Sequence, residues 1–368
     1  MAQAQETVLE INLNNLTHNF KYLKSRLNKE TKVMAVVKAF AYGSDANVIT
    51  GHLQDLDIDY FAVAYTNEGV ALRDAGITKP ILVLHPQSVN FKTIIDRCLE
   101  PSLYSPWVMD KFIEVATENN QVNYPVHIKF NTGLNRLGFN ESEVEFVVET
   151  LQKTKAVKAV SIFSHLAASE DEKEKAFTLN QINTFKVISE KITSQLGYQP
   201  LRHLCNTSGI LNYPDAHFEM IRTGIGLYGF GNSAQADAQL KPIATLKTII
   251  SQVHELSEGD TVGYNRVFKS DGKRLTATLP IGHADGLGRQ YGLGKGYVTI
   301  HGHKAPIIGN VCMDMVMVDI TDIPCKAGDE VVVFGEHPTA SDLAESAGTI
   351  SYEIITSISQ RVNRVFIK

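Results

Sequence analysis

Val36-Val37-Lys38-Ala39-Phe40-Ala41-Tyr42-Gly43 reads as the end of a buried strand running straight into a glycine-bearing loop. Val33, Ala35, Val36 and Val37 form an apolar run of the kind found in strands covered on both faces. Lys38 closes that run, and an ammonium is rarely buried without a partner. Two readings follow. The lysine snorkels from a strand end, or its amine is activated by apolar surroundings to form a Schiff base.

Upstream, Leu9, Ile11 and Leu13 alternate with Glu10, Asn12 and Asn14, a half-buried strand pattern, and an amphipathic helix is expected over 15–27. Downstream a strand–helix alternation persists. Strands are expected at 33–39, 60–65, 80–85, 101–105, 124–130, 157–165, 201–205 and 218–222. Helices are expected between them, the longest over 172–196 and one over 67–75 closed by Gly76. Such alternation implies parallel strands, and eight units imply a closed (β/α)8 TIM-like barrel, with an open doubly wound sheet as the alternative. Active sites of such barrels lie at the C-terminal strand ends. The polar residues at those ends are Lys38, Tyr65, His85, Tyr104, Lys129, His165, Asn206 and Arg222.

The pattern changes near Gly231. Residues 232–241 (NSAQADAQLK) read as a linker, and strands are expected beyond it at 246–256, 275–281, 297–301, 307–320 and 330–334. One helix is expected at 341–346, capped by Ser341. The expected organisation is an α/β barrel over 10–235 followed by a mainly β C-terminal domain over 236–368, with an N-terminal strand at 1–9 joining the latter.

Composition narrows the function. The chain has 368 residues, 43% hydrophobic and 20% charged, with a net charge of -5. That balance offers no basic patch for nucleic acid. No apolar run spans a bilayer, and the start lacks the basic and apolar regions of a signal peptide. Cys98, Cys205, Cys312 and Cys325 are scattered, which fits reduced thiols in the cytoplasm.

Gly224-Ile225-Gly226-Leu227-Tyr228-Gly229 matches G-x-G-x-x-G, but it follows the eighth expected strand and lacks the acidic residue a dinucleotide site needs. It reads either as an ordinary glycine turn or as an anion nest, because phosphate sites of barrels form from the loops after strands seven and eight. Asn206-Thr207-Ser208-Gly209 and Thr223-Gly224-Ile225 supply hydroxyls and backbone N–H groups there. Arg222 is either a surface strand-end arginine or a group facing a cofactor ring. Lys129 and Arg136 flank Gly133 and are either a solvated basic loop or a carboxylate clamp. Tyr264, in Gly263-Tyr264-Asn265-Arg266, would ordinarily be a packing residue. Cys312-Met313-Asp314 interrupts an alternating strand with an edge charge. His301 and His303 lack a third metal ligand in sequence, and no metal is expected.

Taken together, VVKAFAYGS, KFNTGLNRLGF, SHLAASE, CNTSG, IRTGIGLYG, VGYNRVF, IGHADGLGR, GNVCMDM and the ISYEI segment, in this order, resemble the alanine racemase family. The resemblance covers nearly the whole length. It implies a homodimer that carries pyridoxal phosphate on Lys38 and makes D-alanine for peptidoglycan. Lys38 and Tyr264 would be the two acid/base groups, the tyrosine reaching in from the second subunit. Arg222 would meet the pyridine nitrogen. Tyr42, Thr207, Gly224, Ile225 and Tyr352 would hold the phosphate, while His165 and Asn206 line the cofactor. Arg136 and the backbone of Met313 would hold the substrate carboxylate, and Lys129 resembles a position often carbamylated in the family.

Those roles suit the chemistry of racemisation, which removes the α-proton from one face and returns one to the other. Tyrosine, with a pKa of ~10, needs a nearby cation such as Arg266 to act as a base at neutral pH. The chain departs from the family pattern at several positions. His283 stands in place of a usual tyrosine, Asn131 of an aspartate, Thr207 of a serine and Thr223 of a proline. These departures bear on substrate range, so a serine or broad-specificity racemase, a decarboxylase and a non-catalytic cofactor-carrying barrel stand as alternatives.

Overall fold

The computed structural model describes residues 4–368. The first strand, β1 (Val8–Asn12), leads into the helix Leu13–Ser25, and the Asn12 side chain accepts the N–H of Asn15 at 3.0 Å at that junction. Eight further strands then recur in parallel: β2 (Lys32–Val36), β3 (Tyr60–Val63), β4 (Ile81–Val83), β5 (Glu100–Leu103), β6 (Tyr124–Lys129), β7 (Val157–Phe163), β8 (Leu201–His203) and β9 (Met220–Thr223). β9 pairs back onto β2, so the sheet closes into a barrel and the open-sheet alternative is excluded.

The helices outside the barrel follow from their spacing of apolar residues. Val144–Lys153 buries Val144, Val147, Val148 and Leu151, one face of a helix. Each such side chain contributes about 1.5–3 kcal/mol when fully buried. Pro106–Glu118 starts with proline in its first turn and is capped by Ser105, whose hydroxyl accepts the Val108 N–H. Lys175–Leu196 stops at Gly197, whose φ of 75° is the left-handed cap that glycine tolerates.

The buried barrel residues include an apolar cluster and a set of polar side chains. Met34, Ala62, Leu82, Phe163 and Met220 form an apolar cluster. From β5 to β9 the buried residues Glu100, His127, Ser161, His203 and Arg222 are polar instead.

β2 is shorter than the sequence suggests. It ends at Val36, and the chain then makes a left-handed turn with φ of 54°, 55° and 51° at Ala39, Phe40 and Ala41 and 52° at Tyr42. No glycine relieves this turn, and left-handed backbone costs roughly 1–2 kcal/mol per residue with a Cβ. Val37, Ala41 and Tyr42 are buried here without being in a strand, so the apolar run outlasts the strand itself. The linker over 232–241 also differs, since it holds the short helix Ala234–Asp237 capped by Ser233.

Contacts divide the chain into two units. One comprises Thr17–Ala41 and Ala46–Lys241; the other takes in the chain up to Leu16, Tyr42–Asp45 and Pro242–Lys368. The second unit adds β10 (Ala244–Ile249), β11 (Gln252–Leu256), β12 (Thr261–Val262), β13 (Phe268–Lys269), β14 (Arg274–Leu279), β15 (Tyr297–Ile300), β16 (His303–Ile308), β17 (Val316–Asp319), β18 (Glu330–Phe334) and β19 (Asn363–Ile367). Its main sheet has the order β11-β14-β17-β16-β15-β18-β10-β1-β19. β1 lies inside it, antiparallel to β10 and parallel to β19.

Three details correct the sequence reading of this unit. The expected strand 246–256 is two strands, β10 and β11. The expected strand 307–320 is β16 and β17 joined by a loop, so Cys312, Met313 and Asp314 sit in that loop rather than on a strand edge. Gly309 opens it with φ of 66°, where a Cβ would stand 3.0 Å from the Val262 carbonyl. The helix Ala340–Ala347 is capped by Thr339, not Ser341.

Candidate active site

At the end of β2, Lys38 is half-buried. Burial, then the charge of Arg136, pull its amine below the ordinary lysine range, and Glu68 opposes them. Glu68 also fixes the turn that presents the lysine. Its carboxylate accepts the N–H of Ala39 at 2.6 Å, of Ala64 at 2.7 Å and of Tyr65 at 3.0 Å.

Lys129 ends β6 and is 6% exposed, so it is not part of a solvated loop. Its ammonium lies 5.8 Å above the Phe163 ring and makes no ion pair among the described residues. Burial, with the charges of Arg136, Arg222 and Lys38, lowers it from 10.5 to about 8. Arg136 itself is exposed. The Asn131 side chain shapes its loop by accepting the N–H groups of Gly133 and Asn135 at 3.1 and 2.9 Å and donating to Asn135 Oδ1.

Arg222, on β9, is 4% exposed, which removes the surface-arginine reading. One terminal nitrogen donates to His203 Nδ1 at 2.6 Å and to the His203 carbonyl at 3.1 Å. The other donates to the carbonyls of Ser164 and Leu204, at 2.6 and 3.0 Å, and to His165 Nδ1 at 3.2 Å. Nε–H has no acceptor among the described residues, and the atom is not sealed from solvent. Burial lowers Arg222 to about 10, so it stays a cationic donor at neutral pH. Burial and the charge of Arg222 hold both His165 and His203 well below the usual imidazole range. Both rings are therefore neutral, accepting at Nδ1.

Two short segments adjoin in the same unit. Thr207–Asn212 is capped by Asn206, whose Oδ1 accepts the Gly209 N–H at 2.9 Å. The single turn Ile225–Tyr228 follows Gly224. Gly226 donates to Thr207 Oγ1 at 3.2 Å, and a Cβ there would stand 2.6 Å from Thr207 Cγ2. The first N–H groups of such segments, here at Thr207, Ser208 and Ile225, have no helical acceptor and suit an anion.

The other unit, taken by itself, holds two separate groupings of residues named in the sequence analysis. The Tyr42 and Tyr352 rings lie 6.0 Å apart. Burial, then Tyr352, push the Tyr42 hydroxyl above its ordinary range. Beside them Gly43 has φ of 82°, with the Ile355 carbonyl 2.2 Å from where a Cβ would sit, and its own carbonyl accepts from Arg364 at 2.9 Å. The second grouping is the turn between β12 and β13. Tyr264 stands there 72% exposed, and its carbonyl accepts from Asn310 at 3.1 Å. Met313, 59% exposed, lies on the neighbouring loop, which Arg361 braces by pairing with Asp314 at 2.6 Å and Asp285 at 2.7 Å.

The strand-end residues thus separate. Lys38, Lys129, His165 and Arg222, with Arg136, form one electrostatically coupled set. Tyr65, His85 and Tyr104 form another, with ring centroids 5.8 and 5.9 Å apart. Tyr65 and His85 line a cleft of about 590 Å³ with Thr66, Asn67 and Gln87. Sequence reading missed Glu68, Ser164 and His203. The signal for His203 was present, because a histidine two residues before Cys205 on an apolar strand points inward.

Family models described as "Alanine racemase, N-terminal domain" and "Alanine racemase, C-terminal domain" match residues 11–231 and 243–366. The chain belongs to the alanine racemase family.

Alanine racemase 1 of Clostridium acetobutylicum is 38% identical over 369 residues, covering 98% of this chain and 95% of its own length. The alanine racemase of Clostridium novyi is 38% identical over 372 residues with the same coverage. Among solved structures, alanine racemase of Clostridium difficile 630 superposes with a TM-score of 0.93 at 34% identity, covering 100% of this chain and 97% of that one. The hydroxyls of Thr207 and Thr223, both read in the sequence as departures from the family pattern, lie 3.4 Å apart and are buried.

Proposed function

We propose that this chain interconverts L- and D-alanine with pyridoxal phosphate held at the barrel mouth. The observation that carries this reading is the charge of that mouth. Lys38, Lys129 and Arg222 are partly or fully buried; Lys129 feels the charges of Arg136, Arg222 and Lys38, and Lys38 feels Arg136 with Glu68 as the opposing carboxylate. Lys129 is buried with no ion pair among the described residues, and such a cation is costly, so the mouth suits an anion.

The residues present fit the cofactor. Lys38, with its lowered amine, would hold it covalently. Arg222 has Nε–H left to donate to a ring nitrogen. The N–H groups at Thr207, Gly224 and Ile225 suit a phosphate, with Tyr42 and Tyr352 as hydroxyl donors, and His165 and Asn206 would line the ring. Once bound, pyridoxal phosphate supplies an electron sink that acidifies the α-proton of alanine.

Lys38 Nζ then takes or returns that proton on one face. The hydroxyl of the partner subunit's Tyr264 does so on the other. The exposure of Tyr264 and Met313 supports a homodimer, since an alanine-sized substrate needs both bases shielded from water. Arg136 would clamp the substrate carboxylate together with the Met313 backbone. Lys129, brought to about 8, holds a fraction of neutral amine at neutral pH, as carbamylation requires. A carbamate there would place a negative charge beside Arg136 and orient it.

The four free cysteines suit a cytoplasmic enzyme, and D-alanine for peptidoglycan is the expected use of the product. No helix among the described residues is long and apolar enough to cross a membrane. The test is to incubate purified protein and pyridoxal phosphate with each L-amino acid in turn and to resolve the enantiomers chromatographically. D-alanine should form fastest; D-serine forming faster would favour the broad-specificity reading, and no D-amino acid would reject both.

A further inference from the structure

Arg222 stands at one end of a buried chain of hydrogen bonds that steps around the barrel one strand at a time. From β9 it donates to His203 Nδ1 on β8 at 2.6 Å. His203 Nε2 meets Ser161 Oγ on β7 at 2.9 Å. Ser161 Oγ meets His127 Nδ1 on β6 at 2.5 Å. His127 Nε2 meets Glu100 Oε2, on the first residue of β5, at 2.7 Å.

With both imidazoles neutral, the two ends fix the direction of every bond between them. A guanidinium can only donate and a carboxylate can only accept. His203 must therefore accept at Nδ1 and donate from Nε2. Ser161 accepts that proton and passes its own to His127 Nδ1, which leaves His127 Nε2–H for Glu100. His127, Ser161 and His203 are each 0% exposed, so water cannot substitute for any link. The Phe163 ring holds the His203 end, stacked at 4.8 Å on the imidazole and 5.4 Å from the Arg222 guanidinium carbon. Tyr60 packs edge-on against His127. In a low-dielectric core such bonds polarise one another, so a carboxylate at the far end makes His203 Nδ1 a stronger acceptor.

We propose that Glu100, His127 and Ser161 are positioning residues that act through His203 to fix the Arg222 guanidinium with its Nε–H facing the barrel mouth. The racemase reading gives that Nε–H its use, but the relay itself is a property of this chain. It also gives a reason for burying Glu100, His127, Ser161 and His203 in the barrel, where apolar side chains would cost less desolvation.

The test uses the full chain loaded with pyridoxal phosphate and labelled with ¹⁵N-arginine and ¹⁵N-histidine. Glu100→Gln is nearly isosteric and removes the charge; Ser161→Ala cuts the chain in its middle; Ser161→Thr restores the hydroxyl. In both Glu100→Gln and Ser161→Ala, the Arg222 Nε–H resonance should move and exchange with solvent roughly tenfold faster. Alanine kcat should fall roughly tenfold, with KM changed less than about twofold, because Arg136 is untouched. Ser161→Thr should recover most of both effects. An Arg222 Nε–H signal with wild-type position and exchange in both variants, even alongside a lower melting temperature, would overturn the proposal. If wild-type protein forms no D-alanine while the Arg222 signal still responds to Glu100→Gln, the racemase reading fails and the relay stands.

Discussion

The carboxylate of Glu68 accepts the backbone N–H of Ala39 at 2.6 Å, one residue beyond Lys38. Through this bond a side chain from the next helix, Thr66–Asp74, holds a left-handed turn made without glycine. The same carboxylate is the negative charge felt at the Lys38 amine. One residue thus bears on both the placement of the lysine and its electrostatics, where it opposes burial and Arg136.

If Lys38 carries the cofactor, Lys38→Ala should bind pyridoxal phosphate only reversibly. Borohydride reduction followed by peptide mass analysis should find the wild-type label on the peptide containing Lys38 and none in the variant. A label of equal yield elsewhere in the wild-type protein would reject the assignment.

Lys129 makes a pH prediction with a definite sign. Its folded-state pKa, about 8, lies below the ordinary 10.5, so the buried cation destabilises the fold. Below about pH 8 both folded and unfolded chains hold the proton and the full penalty is present. Between about 8 and 10.5 the unfolded chain holds more protons, so stability rises with pH and the penalty fades. In bicarbonate-free buffer Lys129→Met should therefore stabilise the chain by up to about 3 kcal/mol at pH 7, and by progressively less towards pH 10.5. Denaturant titrations across that range check it. Bicarbonate should raise the melting temperature of the wild type and leave Lys129→Met unchanged.

Tyr264→Phe keeps the ring and deletes the hydroxyl of an exposed side chain, so the fold should survive. If Tyr264 is the base on the L face, its loss should cost roughly 10²–10⁴-fold. Solvent exchange of the α-proton should fall by that factor for L-alanine and much less for D-alanine. Equal losses for both enantiomers would separate Tyr264 from the L face.

Gly43→Ala should destabilise the protein by more than about 2 kcal/mol, because the residue has φ of 82° and no room for a Cβ beside the Ile355 carbonyl. Thermal melts of the variant should drop accordingly. If the neighbouring Tyr42 hydroxyl holds the cofactor phosphate as proposed, affinity for pyridoxal phosphate should weaken in parallel.

The barrel was legible because its signal is periodic. Each of the eight expected strands overlaps one of the eight found, because strands recurring between helical segments leave a regular alternation in the sequence. What the sequence hid is non-local. Nothing adjacent to Ala39 announces Glu68, and nothing adjacent to Arg222 announces Ser164 or Glu100; closure of the barrel brings them together. The Met313 loop was read as strand because its flanks, β16 and β17, alternate in phase. Gly309 marks where that alternation stops, but a lone glycine does not say whether a strand bulges or ends. Lys129 and Arg136 kept two readings in sequence, and only burial separates them: Lys129 is enclosed while Arg136 is exposed.

The most direct test of two-base racemisation is α-proton exchange in heavy water. Protein loaded with pyridoxal phosphate is given L-alanine, and each enantiomer is analysed for deuterium at the α-carbon at early times. The account predicts that D-alanine appears with deuterium in place of the α-hydrogen, because the base that returns the proton is not the one that removed it. D-alanine formed with its original α-hydrogen retained, or no D-alanine at all, would contradict it.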